Sequence, residues 1–186
     1  MNFFTITNKV LLLLIAVILL AGCGKEEYPQ VDLFTWKAKV DVTDKAVLSV
    51  NAENSGGASG GEGSKKVVDN DINTKFLINP YQSNLYMQLS FASPQQVASY
   101  TLTSANDDAR RDPKDWKLSG SMDGNTWIDL DVRTGETFSA RNSTKTYSFK
   151  NTTLYTHYRI SISAVSGSTL FQLSEWRLIE VPAEQQ

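Results

Sequence analysis

The stretch Asp112–Leu130, D-P-K-D-W-K-L-S-G-S-M-D-G-N-T-W-I-D-L, constrains the fold more than any other part of the chain. Trp116 and Leu118 alternate with Lys117 and Ser119, the period-2 pattern of a half-buried strand. Asp123-Gly124 then supplies a tight turn in which glycine takes a positive φ. Beyond it Ile128, Leu130 and Val132 alternate with Asp129 and Asp131, which predicts a second strand with its apolar side buried. Two strands cannot bury their own apolar face in water, so the rest of the chain must supply the sheet and its cover.

It carries the pattern to do so. Leu85, Met87, Leu89 and Phe91 alternate with Tyr86, Gln88 and Ser90, and Tyr100 and Leu102 alternate with Ser99, Thr101 and Thr103. Tyr147 and Phe149, then Tyr158, Ile160 and Ile162, then Trp176 and Leu178 repeat the theme, and no segment shows a sustained helical stripe. These segments predict an all-β chain, a jelly-roll β-sandwich of about eight strands. Apolar residues at 41% and charged residues at 20% are globular proportions. The single cysteine excludes an internal disulfide, and with the single histidine it excludes a zinc site of the Cys/His kind. A net charge of −2 argues against nucleic acid as a partner.

The N-terminus reads as an address. Lys9 precedes an apolar run, Val10 to Ala21, that ends in Leu20-Ala21-Gly22-Cys23. A charged start, an apolar centre and small residues at the end make a secretory signal, here residues 1–22. L-A-G-C resembles the bacterial lipobox, which implies lipid on Cys23 and a membrane anchor without a spanning helix. Lys25-Glu26-Glu27 resembles the signal that sends lipoproteins to the surface of some Gram-negative bacteria. The expected location is therefore the outer membrane, facing outward. Residues 23–44 are expected to form a tether, 45–182 the domain and 183–186 a tail.

Two further segments bear on chemistry. The glycine-rich run Ser55 to Ser64 lacks the Gly-Lys-Ser/Thr order and following helix of a phosphate loop, and is expected to be a mobile loop. The segment Val67 to Phe76 places side-chain oxygens at Asp69, Asp71, Asn73 and Thr74. An EF-hand is excluded, because Thr74 and Pro80 stand where its glycine and glutamate belong. His157, the one histidine, enters a strand and is read as structural, and Cys23 is consumed by lipid, so enzyme activity is not expected.

Together the G-S-x-D-G-x-x-W hairpin and the D-N-D-x-N-T-x-F segment resemble the discoidin domain, also called the F5/8 type C or galactose-binding-like domain, whose bacterial relatives include carbohydrate-binding modules. The resemblance implies a structural calcium ion held by Asp69, Asp71, Thr74 and Glu175, with the carbonyl of Lys66. The alternative is a metal-free network of Asx turns. Two departures stand out: Asn70 replaces glycine, and Phe76 replaces tryptophan. The resemblance also points to loops at one end of the sandwich as the place for a sugar, with Asn106, Asp107 and Arg110 as polar candidates and Tyr81 and Phe171 as aromatic ones. The function it implies is a non-catalytic, lipid-anchored module capturing oligo- or polysaccharide at the cell surface. The alternative is an adhesion subunit that binds a protein partner in the envelope.

Overall fold

Alternation along the longest strands decides the architecture. The computed structural model describes residues 38–181; the expected signal peptide, the lipidation at Cys23 and most of the tether, with the tail, lie outside the described residues. The first strands are β1 (Val40–Asp41), β2 (Ala46–Val50), β3 (Phe76–Ile78), β4 (Leu85–Gln95) and β5 (Val97–Thr103). There follow β6 (Pro113–Ser121), β7 (Ile128–Arg133), β8 (Thr144–Ser148), β9 (Tyr155–Val165), β10 (Phe171–Leu173) and β11 (Glu175–Glu180). Eight of these run five residues or more, in line with the expected number, and β1, β3 and β10 are short additions.

All pairings are antiparallel. A five-stranded sheet has the order β2-β4-β9-β6-β7, a four-stranded sheet β1-β11-β5-β8, and β10 pairs with β3. The apolar sets of β4, β6 and β9 (Leu85, Met87 and Leu89; Trp116 and Leu118; Tyr158, Ile160 and Ile162) are all buried in one core. From the other sheet Tyr100, Leu102, Tyr147, Trp176 and Leu178 enter the same core. The two sheets are joined by direct contacts: Trp116 meets Tyr147 edge to face at 5.3 Å and donates its indole N–H to the Tyr100 hydroxyl at 2.8 Å. The result is the expected all-β sandwich.

Three expectations change. First, β7 buries only part of its apolar side: Leu130 packs against the core, but Ile128 is 53% and Val132 62% exposed. Leu118 pairs with Asp131 and Ser119 with Asp129, so Leu130 is bulged out of the ladder. Residues directly opposite share a face, so Asp131 and Arg133 follow Leu118 and Trp116 inward. There Asp131 accepts from the Tyr100 hydroxyl at 2.7 Å, and Arg133 lies over the Tyr147 ring at 5.0 Å.

Second, the sandwich starts before residue 45. Val40 and Asp41 pair with Glu180 and Ile179, and Val42 and Thr43 are buried. Arg177 ties this segment down through Asp41 and Asp44, each at 2.8 Å. Third, the glycine-rich run is a stack of turns rather than an open loop. Amides of Gly57, Gly60, Gly63 and Lys65 donate to carbonyls of Asn54, Gly57, Gly60 and Ala58 in turn. A short 3₁₀ turn, Ser64–Val68, follows it.

Candidate functional site

Register places the variable loops together. Thr103 pairs with Thr144 and with Glu175, Pro113 with Val165, Trp116 with Arg133 and Leu85 with Ile162. The β3–β4, β5–β6 and β7–β8 connections, the end of β9 and the start of β11 therefore gather at one end of the sandwich.

At that end the acidic segment folds back on β11. Asn70 takes the positive φ of 61° that glycine would otherwise supply, and Phe76 is buried edge to face against Phe171 at 6.1 Å. Both departures from the discoidin pattern are thus accommodated locally. The Thr74 hydroxyl donates to Asp69 at 2.9 Å and to the Asp71 carbonyl at 3.1 Å. The Asp71 amide donates to Asp69 Oδ1 at 3.2 Å and to Glu175 Oε1 at 3.1 Å. The Asp71 carboxylate turns elsewhere, accepting from the Asn73 amide at 2.9 Å. Lys66 meets Asp69 through its ammonium at 3.2 Å.

Glu175 is the unusual member of this group. It is 3% exposed, and its Oε2 has no hydrogen-bond partner among the described residues. Burial, with a hydrogen bond shared with Asp69, pushes its carboxyl up to about 7, although Arg177 at 3.7 Å pulls the other way. Asp69 is also raised by burial, but hydrogen bonds with Thr74, Glu175 and Lys66 outweigh this and hold it below the usual carboxylate range. Among the described residues no group of three or more His, Cys, Asp or Glu side chains is gathered closely enough to hold a metal. What is gathered is two carboxylates, a hydroxyl and a backbone carbonyl. That all-oxygen set with one orphaned carboxylate oxygen fits a hard cation such as Ca²⁺ better than a softer metal.

The β5–β6 connection is held by ion pairs. Asp112 is buried and receives both guanidinium nitrogens of Arg141, from the β7–β8 connection. A 3₁₀ turn, Ala109–Arg111, leads into Asp112, with the Asp108 side chain accepting the Arg110 amide at 3.0 Å. Lys75, from the acidic segment, donates to Asn106 at 3.1 Å and to Asp107 at 2.7 Å, and Arg111 reaches Asp107 at 3.1 Å. The polar ends of Asn106 and Asp107 are therefore engaged within the fold. Arg110 pairs with Asp108 at 2.7 Å and its side chain remains 74% exposed.

The aromatic candidates are placed differently from the expectation. Phe171 lies in β10 and is fully buried between Phe76 and Tyr81, so it belongs to the core and has no surface to offer a ligand. Its place in an apolar-polar-apolar strand could have signalled this. Tyr81 is half-buried with its hydroxyl donating to the Ile162 carbonyl at 3.0 Å, and burial, then the charge of Asp115, pushes that hydroxyl up to about 12.

A cleft of about 310 Å³ opens beside Arg110, lined by Ala109, Arg110, Asp112, Thr137, Phe138 and Ser166. Ser166 is fixed by its amide on the Asp112 carbonyl at 3.0 Å. Thr137 and Phe138 were not legible as site residues, because no motif marks the β7–β8 connection; only folding carries it to Arg110. The cleft thus combines a guanidinium and two hydroxyls, the groups that suit sugar hydroxyls, while Phe138 belongs to the core and lines it with little free ring surface.

Comparisons with known proteins agree with this architecture. Over 83 residues, or 42% of this chain, 39% are identical to the Arabidopsis thaliana peptide-N(4)-(N-acetyl-β-glucosaminyl)asparagine amidase, of which that match spans only 12%. The Clostridium perfringens module CpGH89CBM32-5, in complex with GalNAc-β-1,3-galactose, superposes with a TM-score of 0.62 at 18% identity, covering 73% of this chain and 96% of the module. The family 32 carbohydrate-binding module of C. perfringens NanJ, in complex with galactose, gives 0.59 at 14% identity, covering 77% and 100%. An F5/8 type C domain from Bacteroides fragilis gives 0.63 at 13% identity, covering 77% and 95%. The F5/8 type C family model matches residues 49–175, more than half of the chain. The chain belongs to the F5/8 type C domain family.

Proposed function

We propose that this chain is a non-catalytic carbohydrate-binding module, tethered through lipid on Cys23 to the outer membrane and facing outward. The cleft beside Arg110 carries the reading: it is concave, lies among the connections at one end of a rigid sandwich, and sets a charged fork beside the Thr137 and Ser166 hydroxyls. Solved relatives of the same fold in complex with galactose and with GalNAc-β-1,3-galactose support a neutral sugar as the ligand class. In this reading Arg110, Thr137 and Ser166 hydrogen-bond to sugar hydroxyls.

A structural calcium ion belongs to the same proposal. Asp69, Thr74 and Glu175 would hold it through side-chain oxygens, Asp71 through its carbonyl, and the Lys66 carbonyl completes the expected set. The ion would neutralise the Asp69 carboxylate and the buried Glu175 carboxylate and pin the acidic segment to β11.

A glycan array probed with the chain from Gly24 onward, in calcium, tests the reading. Hits among neutral glycans are expected, and Arg110→Ala should weaken them by about 1–3 kcal/mol. A blank array from cooperatively folding protein would discard it in favour of an adhesion subunit with a protein partner in the envelope. The lipid is tested separately, by mass spectrometry of the membrane-extracted chain.

A further inference from the structure

The outer face of the five-stranded sheet holds a cation with no counter-ion. Arg110, Arg111, Arg133, Arg141 and Arg177 each meet a carboxylate. Arg159 meets none among the described residues, yet it is firmly held. Its guanidinium lies over the Tyr86 ring at 4.0 Å and over the Trp127 ring at 3.9 Å. Its Nε and Nη2 donate to Gln88 Oε1 at 3.2 and 2.7 Å, and the Gln88 amide is itself fixed on Ser90 at 3.1 Å.

The carboxylates nearest in the sheet ladder are already engaged. Asp129 accepts from Ser119 at 2.7 Å and pairs with Lys117 at 3.2 Å, and Asp123 caps amides of its own turn. Neither satisfies Arg159. Two of its five N–H groups are used on one amide oxygen, which leaves the Nη1 side of the fork for an acceptor.

We infer that this face carries a binding site for the carboxylate of an acidic saccharide, centred on Arg159 between Tyr86 and Trp127. A guanidinium clamped between two rings has already lost its rotamer freedom and much of its hydration, so it binds a planar carboxylate at reduced cost. A saccharide fits better than an acidic peptide because the flanking groups are hydroxyls and amides. Register puts Ser161 across from Tyr86, Gln88 across from Arg159 and Ser90 across from His157, all on the outward side. The site shares no residue with the cleft beside Arg110, so it stands or falls independently of the neutral-sugar reading.

The test is calorimetric titration of the full chain in detergent micelles with tri-galacturonic acid, its trimethyl ester and hexaglutamate. The acid should bind, the ester should bind roughly tenfold more weakly or worse, and Arg159→Lys should weaken the acid by a similar factor by losing the planar fork. The ester comparison needs no variant, so it holds even where Arg159→Lys folds poorly. Absence of binding by the acid, equal binding of acid and ester, or an unchanged affinity in a folded Arg159→Lys chain each overturns the inference. Tighter binding of hexaglutamate than of the trisaccharide overturns it too, and assigns the site to an acidic protein.

Discussion

At the scale of single residues, Glu175 and Asp112 show two ways of burying a carboxylate. Burial, and then the neighbouring Asp69, push the Glu175 carboxyl up to about 7 from an ordinary 4.5. The folded state therefore binds more protons than the unfolded chain between those values. In calcium-free buffer stability should fall as pH rises through that window, on the order of 1–2 kcal/mol in urea unfolding. Glu175→Gln should flatten that slope. Added calcium should raise the melting temperature of the parent chain, increasingly as pH rises and the proton leaves, but not that of Glu175→Gln. Asp112 is instead compensated by Arg141, whose removal leaves a buried, unpaired charge. Arg141→Met should cost about 3 kcal/mol in the same assay, with the cleft loosened because Asp112 lines it.

Among the elements, β7 and the glycine-rich turns show where pattern alone misleads. Alternation in β7 marks two faces without saying which is inside, and one bulged residue reverses the answer. Asp131→Ala should therefore cost more than Val132→Ala, because the first strips the buried Tyr100 hydroxyl of its acceptor while the second trims an exposed side chain. The expected difference is about 1–2 kcal/mol, measured by denaturant midpoint. In the glycine-rich run a Cβ on Gly63 would fall on the carbonyl oxygens of Gly57 and Ala58, which are backbone and cannot swing away. Gly63→Ala should destabilise the chain by about 1–3 kcal/mol, whereas Gly61→Ala, with open space around it, should be nearly silent.

For the whole molecule, the N-terminal segment is part of the sandwich. Starting the chain at Lys45 removes β1, the buried Val42 and Thr43, and both aspartates that neutralise Arg177. A chain beginning at Lys45 should melt several degrees below one beginning at Ala38, since losing about 2 kcal/mol shifts a domain of this size by roughly that much. Arg177 also contacts the Val68 carbonyl at 3.1 Å, so the segment of β1 and Asp44 is coupled to the acidic segment.

Period-2 alternation determined the all-β class and most of the inward faces, because a strand's side chains divide between two sides whatever its neighbours are. Local turn chemistry likewise determined the left-handed Gly124 and Asn70, since these conformations depend on a few adjacent residues, although the β6–β7 connection, residues 122–127, is longer than the expected tight turn. Tertiary structure alone decided that Phe171 is core, that Asp131 and not Val132 points inward, and that Phe138 stands beside Arg110. Each depends on which strand lies opposite and in what register, and contacts between segments tens of residues apart leave no mark in the local pattern.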